Sequence, residues 1–597
     1  MQSVSANSTL DDADLALSEL SLVRSVPLST TSTTSTTSTT STTAISLNTS
    51  SKIEKSGIAI AVSATLTACG GGGSASTPAT PQPLQQPAPI TATEASRFLA
   101  QSSMGASREQ MKRVQTIGYA EWIDEQMALP LSMSRFDWLL ANGYADPLNK
   151  NSEAGFDAAA WKKMIGATDT LRQRVTFALS EITVVAIDGL VGSGWRAFSA
   201  AAFLDLLEAN AFGNYRTLLQ AISTSAPMGE FLTFRGNVKF NPVTGAQPDE
   251  NYARESMQLF SIGLVQLNRD GSTATVNGVA QETYTLDDIT GLARVFTGWD
   301  YDLAASDTST PEFKRRPMVQ IASRHEPDEK KFIGTTIPPG TDGVTSLRLA
   351  LDALFAHPNC APFISKQLIQ RLVCSNPSPA YIARVAAVFI NDGSGVKGNL
   401  KAIVKALLLD DEARAVAGTT STSFGKVREP ILRLTGWARA FSATSPSNAW
   451  GIGNTADPGN RLGQSPLRSP TVFNFFRPGY VPPNTPIASA GLVAPEFQIT
   501  NESTVVSYIN YMQRAVSLGL GDVKADYSAL LPLADNAATL VAEIHTVLAA
   551  EQLRAASVTT ITAAINGMPA GTDSARLNRI YAALTLVLAA PEFIVQK

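Results

Sequence analysis

Apolar residues recur at intervals of three and four positions from Thr91 almost to the end of the chain, and this spacing constrains the fold most. It puts apolar side chains on one face of an α-helix, whereas the alternation typical of strands is rare. Capping boxes at Thr91 to Glu94 and Ser107 to Gln110 indicate two helix starts, and Gly118 fits a helix end. We therefore predict a mainly α fold, a multi-helical globular body with long irregular segments and at most a small β-hairpin.

The same spacing predicts helices throughout the chain. They lie near 167–187, 197–210, 213–224, 248–263, 286–297, 345–356, 361–374, 380–391, 397–410, 426–442 and 503–518, with more after 537. Short runs at 264–267 and 273–276 predict the hairpin. Segments 299–344 and 444–500 are rich in residues that break helices, and long irregular segments are often functional, so both are candidates for the working surface.

A short motif, Leu-Thr-Ala-Cys at 66–69 followed by four glycines, is typical of a bacterial lipobox. Lys52 and Lys55 form a positive flank, and the apolar run that follows, about a dozen residues, is too short to span a bilayer of about 30 Å. The motif predicts a lipoprotein signal peptide at 51–69 with Cys69 as the lipidation site. The alternative interpretation is an apolar core segment that ends in cysteine.

The regions around this motif predict the domain organisation. Residues 1–50 are rich in Ser and Thr and are predicted to be disordered, 70–92 form a flexible linker, and 93–597 form the helical body. A signal peptide normally begins near the start methionine, but this one begins about fifty residues after Met1. Met1 is therefore a mis-called start in one interpretation. If Met1 is the true start, the prediction of export is weakened.

Charge and cysteine content limit the partners. A net charge of -4 gives no electrostatic footprint for nucleic acid, and no other apolar run is long enough to cross a membrane, so membrane contact is predicted through the lipid alone. Cys360 and Cys374 flank one predicted helix, which puts them roughly 20 Å apart, beyond the reach of a disulfide. We expect two free, mostly buried thiols.

The densest polar cluster opens the helix predicted at 248–263. Glu250 and Arg254, four residues apart, can form an ion pair, while Asn251 and Glu255 extend a polar stripe. The two glutamates lie about 140° apart around a helix, so they cannot share a metal without ligands from elsewhere. One interpretation is a capped helix with its own ion pair, and the other is a polar site on a rigid helix.

Histidine is scarce, and familiar catalytic motifs are missing from the sequence. His325 lies in an irregular segment among charged residues and is the best candidate for acid–base work, although a loop histidine is commonly only solvated. His357 fits a capping or packing role, and His545 a helix surface. Because no serine elbow, phosphate loop, dinucleotide fingerprint, calcium loop or zinc spacing occurs, we predict no metal site, and the cofactor stays unknown.

Several segments, taken in chain order, resemble the large bacterial family catalogued as domain of unknown function 1800. They are 95–101 with Gly105, 174–180, 248–255 with 259–263, 293–299, His325, 357–358 with Lys366, Leu368 and Arg371, 426–430, 469–480 and 492–498. The resemblance covers about 93–520 and implies an exported, mostly helical bacterial protein, often encoded beside a sulfatase-like partner, with no established reaction. Many members carry a Trp-His-Asn-His-like run where this chain has Ala-Leu-Ser-Glu at 178–181, so no histidine site is transferred.

The leading hypothesis is a lipid-anchored envelope protein that binds or scaffolds a partner protein or a surface polymer. The glycine after the lipidated cysteine is permissive for the outer membrane in a bacterium with two membranes. Arg468, Arg477 and Tyr480 are predicted to form part of the contact surface, because aromatic and arginine side chains dominate interface energetics.

The alternative hypothesis is an envelope hydrolase or transferase. In it His325, Glu250 and Glu255 are the catalytic groups of one pocket on the 248–263 helix. Asn251 would orient the substrate and Arg254 would hold an anion. Trp299 would line the same cleft.

Overall fold

The computed structural model describes residues 89–304 and 307–597. The 1–50 extension, the predicted signal peptide with Cys69 and residues 70–88 of the predicted linker lie outside the described residues.

Helices dominate the described residues, which confirms the mainly α fold class. The first half contains α1 (Ala92–Ser102), α2 (Arg108–Ile117), α3 (Tyr119–Ala128), α4 (Arg135–Ala141), α5 (Phe156–Gly166), α6 (Thr170–Ser180), α7 (Arg196–Asn210), α8 (Tyr215–Ser223), α9 (Ala226–Phe231), α10 (Asn251–Gln258) and α11 (Leu286–Ala293). The second half contains α12 (Gly343–Ala356), α13 (Cys360–Leu372), α14 (Pro379–Ile390), α15 (Leu400–Leu409), α16 (Asp411–Arg414), α17 (Ala417–Thr420), α18 (Pro430–Ala440), α19 (Pro486–Ser489), α20 (Glu502–Leu518), α21 (Ala537–Ala549), α22 (Ala555–Asn566), α23 (Asp573–Ala589) and α24 (Pro591–Ile594). Short 3-10 turns occur at Pro147–Asn149, Ile187–Gly189, Arg294–Phe296, Pro311–Lys314, Ala322–Arg324, Pro495–Ile499 and Leu531–Leu533.

The first helix ends follow the predicted capping chemistry with one difference. Thr91 and Glu94 form the full capping box of α1, and Gly118, with φ of 93°, ends α2. Ser107 accepts the backbone N–H of Gln110, but the Gln110 side chain accepts the Trp122 indole N–H at 2.7 Å. The second box is therefore half formed, because packing of α3 on α2 claims the glutamine.

Among the described residues, strands form four antiparallel pairs of two or three residues each, where the sequence indicated one hairpin. The pairs are β1 (Thr275–Val276) with β2 (Val279–Ala280), β3 (Trp299–Asp300) with β4 (Val319–Gln320), β5 (Lys330–Phe332) with β6 (Thr335–Ile337), and β7 (Lys426–Val427) with β8 (Val595–Gln596). The predicted 264–267 and 273–276 runs meet through a bridge between Leu267 and Thr273. The fourth pair differs most from prediction, because residues 426–427, expected to be helical, are a strand.

One continuous hydrophobic core holds these elements together. Within it α13 packs on α6 and α14, α18 on α5 and α21, α1 on α2 and α21, and α20 on α23. Cys360 and Cys374 are free and buried, which confirms the prediction. In the part of the chain that the structure describes, no helix has both the length and the apolar character to cross a membrane.

Candidate functional site

The polar helix α10 is shorter than predicted, and its ion pair is weak. Glu250 precedes the helix, accepts the Thr290 hydroxyl at 2.7 Å and lies 3.7 Å from Arg254. Both side chains of the pair are about one-third exposed, so the pair contributes little to stability. Asn251 makes a long 3.5 Å contact with the Thr233 hydroxyl, whereas Glu255 is buried. The predicted polar stripe is therefore divided between solvent and interior.

His325 is a buried side chain with fixed partners. Its Nδ1 lies 3.1 Å from the Thr297 carbonyl oxygen, and its Nε2 lies 3.3 Å from the Ser346 hydroxyl. Burial lowers the pKa of the imidazole below its usual value, although the Thr297 carbonyl opposes this. Trp299, two residues after Thr297, is buried in β3. These bonds hold a neutral imidazole that links the 297–299 chain to α12.

The structure brings together a different set of charged side chains, which we name the Lys426 cluster: Arg174, Glu181, Arg371, Lys426, Glu429 and Glu496. All six are buried, and they come from α6, α13, β7, the start of α18 and the 495–499 turn. The Lys426 Nζ donates to the Arg371 carbonyl at 2.9 Å and pairs with Glu429 at 3.3 Å and Glu496 at 3.2 Å. An ammonium has three donors, so Lys426 is fully satisfied at the centre of the cluster.

Two of its carboxyl groups titrate in opposite directions. Burial and the neighbouring Glu429 raise the pKa of Glu181 well above its ordinary 4.5. Burial alone would also raise the pKa of Glu429, but Lys426 and a hydrogen bond from Glu181 outweigh burial and hold that pKa below its ordinary value. The helix dipole of α18 favours the same anion. Of the two carboxyl groups, Glu181 therefore favours the protonated form and Glu429 the ionised form.

Two arginines of the cluster, Arg174 and Arg371, lie near the Glu181–Glu429 pair. An Arg174 Nη2–H donates to the Arg371 carbonyl at 2.5 Å, the oxygen that Lys426 also contacts. The Arg371 guanidinium lies over the Phe476 ring, 5.0 Å from its centroid. Burial lowers the pKa of Arg174, opposed by Glu429 and Glu181. Because unpaired buried charges are costly, these groups depend on one another.

The 468–498 segment lies against the cluster, and a hydrogen bond and an ion pair from its buried side chains connect it to the cluster. The Asn474 side-chain amide donates to Glu181 at 3.2 Å, and Glu496 is itself a cluster member. Asn376 exchanges two 2.9 Å hydrogen bonds with the backbone of Val493. Arg468, predicted for the contact surface, is only 8% exposed, because it binds Asp157 and Glu153. It therefore anchors the segment from within.

The opposite side of the segment reaches the protein surface, and we name it the aromatic face: Phe473, Arg477, Tyr480, Val481 and Phe497. The first three of these side chains are half-buried. The Arg477 guanidinium lies 5.1 Å from the Phe473 ring centroid, and Val481 and Phe497 are 39% and 37% exposed. The Arg477 backbone N–H donates to Gln498, and the Ala494 N–H donates to the Tyr480 carbonyl, both at 2.9 Å. These bonds keep 477–481 beside 494–498.

A small cavity beside Glu181 defines what the cluster can do chemically. Ser469 and Asn474 share its lining, and its interior has room for about one water molecule. The Ser469 hydroxyl has no hydrogen-bond partner among the described residues. The site can hold a proton and a water, but it is too narrow for a substrate. Within 89–304 and 307–597 no group of three or more His, Cys, Asp or Glu residues is placed to bind a metal.

The Lys426 cluster was not predicted from the sequence. A signal was present, because Lys426 and Glu429 lie in the 426–430 segment and Glu496 in the 492–498 segment, both among the family-like segments. Glu181 directly follows the family-like 174–180 run. Charged residues inside segments that otherwise predict burial are the pattern that could have found them.

Comparison with known proteins identifies the family of the chain. The family profile described as Protein of unknown function (DUF1800) matches residues 97–595, so the chain belongs to that family. No curated protein and no solved structure matches the chain.

Proposed function

We propose that the protein is a lipid-anchored component of the bacterial cell envelope that binds a partner protein or a surface polymer through the aromatic face. The lipobox at Cys69 and the family resemblance support the location. A sulfatase-like envelope protein is the partner that the resemblance implies, and contact with the membrane is through the lipid only.

One observation carries the binding role: the aromatic face lies on a segment that buried bonds hold in place from the other side. Asn474 and Glu496 connect it to Glu181 and Lys426, and Arg468 forms a two-pronged ion pair with Asp157. A surface that is ordered before binding loses less conformational entropy on association. Aromatic and arginine side chains are also enriched in interface centres.

The enzymatic alternative has less support from the geometry. It needs His325 to reach a substrate, but His325 is 5% exposed and bonded to Thr297 and Ser346. The cavity next to Glu181 is too small for a substrate. Binding is therefore the function that the geometry supports best.

The binding test uses two triple-alanine variants of the full-length protein, expressed in the bacterium that encodes it. One changes Arg477, Tyr480 and Phe497. The control changes Val276, Val279 and Leu286, which are 57%, 58% and 65% exposed on another surface. After cross-linking in intact cells, partner protein or glycan recovered with the first variant should fall about tenfold or more, with no fall for the control.

Equal recovery with both variants would remove the aromatic face from the proposal. If neither a protein partner nor a glycan is captured by the unaltered protein, the binding role itself fails. Anchoring is tested separately by mass spectrometry of the mature N-terminus and by Cys69→Ser. This variant should leave the membrane fraction, and an unmodified Cys69 in the unaltered protein would refute anchoring alone.

A further inference from the structure

Arg428, between β7 and α18, is a buried arginine in which two of the three guanidinium nitrogens have no hydrogen-bond partner among the described residues. It is 8% exposed, and its Nη1 donates to the Leu548 carbonyl at 3.0 Å. Its Nε and Nη2 have no hydrogen-bond partner among the described residues. These two nitrogens form one edge of the guanidinium, the edge that binds a carboxylate side-on through two parallel hydrogen bonds.

The same edge is occupied in other arginines of this chain. Nε and Nη2 of Arg384 donate to the two carboxylate oxygens of Asp410 at 2.7 and 2.8 Å, and those of Arg468 donate to Asp157 at 3.2 and 2.9 Å. Arg108 binds Glu543 in this way as well. The fold therefore uses this edge repeatedly for carboxylates, and Arg428 presents it without a carboxylate partner in the described residues.

The charges around Arg428 do not compensate it. Burial is the main cause that lowers its pKa to about 10, and the nearby cation Arg433 lowers it further, opposed by Tyr508. Arg428 is therefore still charged at neutral pH. The Phe593 ring lies 4.8 Å from the guanidinium, but a ring face offers no hydrogen-bond acceptor for the in-plane edge.

Arg428 also lines a cavity between α1, α18 and α21. Small residues make the space, among them Ser96, Gly105 and Gly436, and the cavity has room for about two water molecules. The hydroxyl of Ser96 is already bonded to the Val547 carbonyl. Among the residues that line this small space, Arg428 is thus the one whose side chain has unsatisfied polar atoms.

We propose that this cavity binds a small monovalent anion, of formate or chloride size, on the Nε and Nη2 edge of Arg428. The anion neutralises the guanidinium and accepts both unsatisfied N–H groups. Because the residue adjoins β7 and α18, an occupied site holds together the elements that carry Lys426 and Glu429. A binding anion stabilises the folded state in proportion to its occupancy.

The test is thermal unfolding of the full-length protein in sodium formate, sodium chloride and sodium gluconate at matched ionic strength. Gluconate is too large for the cavity. The unfolding temperature should be higher in formate or chloride than in gluconate by ~2 °C or more. Arg428→Met should abolish that difference. Arg439→Met is the control, because Arg439 is a half-buried arginine of α18 whose guanidinium donates to the carbonyls of Ile165 and Ala167, so its variant should keep the difference.

A second measurement uses the unaltered protein, so its result does not depend on whether the Arg428→Met variant folds. Crystals of the unaltered protein grown with bromide should show an anomalous peak within hydrogen-bond distance of Arg428. A formate effect without a chloride effect identifies a carboxylate ligand, and an effect of both identifies a general small-anion site. Equal unfolding temperatures in all three salts, together with no anomalous peak at Arg428, would overturn the proposal in favour of water.

Discussion

Two near-isosteric substitutions in the Lys426 cluster should lower the free energy of unfolding by very different amounts. Glu429→Gln removes the anion that pairs with Lys426 at 3.3 Å and accepts the Gln464 amide at 2.7 Å. Lys426 then keeps only Glu496 as an anionic partner. Removing one partner of a buried ion pair costs about 3–5 kcal/mol. We expect a loss of that size in the free energy of unfolding at neutral pH.

Glu181→Gln should cost much less, within about 1 kcal/mol at neutral pH. Its carboxyl is the one of the pair that favours the protonated, neutral form, because burial and Glu429 raise its pKa well above 4.5. A glutamine keeps a donor toward Glu429 and an acceptor for the Asn474 amide. Only the loss of geometric fit remains, and it is small for an isosteric change.

The pH dependence gives a second, independent measure of the same pair. Since the folded pKa of Glu181 is raised, the folded state binds more protons than the unfolded state above pH 4.5, and stability falls as pH rises through that window. For Glu429 the folded pKa is lowered, so its contribution is present above pH 4.5 and is lost as pH falls. Glu181→Gln should flatten the first slope and Glu429→Gln the second.

The assay is urea unfolding of both variants and the unaltered protein, followed by circular dichroism from pH 2 to pH 9, which covers the lowered pKa of Glu429. The reasoning is refuted if the two variants lose similar free energy at neutral pH. It is also refuted if Glu181→Gln steepens the fall of stability above pH 4.5. Either result would mean that Glu181 is ionised in the folded protein.

Four further substitutions should change stability according to their local surroundings. His325→Ala should lower the free energy of unfolding, measured by urea unfolding, by about 1–3 kcal/mol. It should also remove part of the stability loss below pH 6.5, because the buried imidazole is neutral in the folded protein and protonates on unfolding. Gln596→Ala should lower the unfolding temperature, since its amide satisfies two carbonyls at the end of α13. Gly291→Ala should destabilise, because a Cβ there would lie 1.7 Å from the Lys331 carbonyl, whereas Gly436→Ala meets open space and should be neutral or stabilising in the same scan.

The helices could be predicted from the sequence because their information is local. The 197–210 prediction matches Arg196–Asn210, and 503–518 matches Glu502–Leu518, since apolar spacing and caps both lie within the helix. Residues 426–427 could not be predicted in this way. They form a strand because β8 pairs with them from nearly the far end of the chain, and no local pattern records that partner.

The candidate site shows the same limit at the level of side chains. The polar residues at 249–255 are close together in the sequence, and this density made them a predicted site. In the structure, the side chains that are neighbours on this helix are divided between solvent and the core. Arg174 and Lys426 are instead 252 positions apart and meet at one carbonyl, that of Arg371. Each alone looks like an ordinary surface charge. Only the fold shows that each has replaced water with charged and polar partners.

This arrangement also explains how a mainly helical protein can keep a long irregular segment ordered. Segment 468–498 has few internal backbone bonds to fix its shape, so its order must come from contacts beneath it. Buried ion pairs suit that task because they are directional, and a shifted register would leave Glu496 or Asn474 opposite the wrong group. An apolar contact of equal area would tolerate such a shift. The Lys426 cluster thus defines where the aromatic face lies, and binding of the partner that we propose would depend on charges that the partner does not touch.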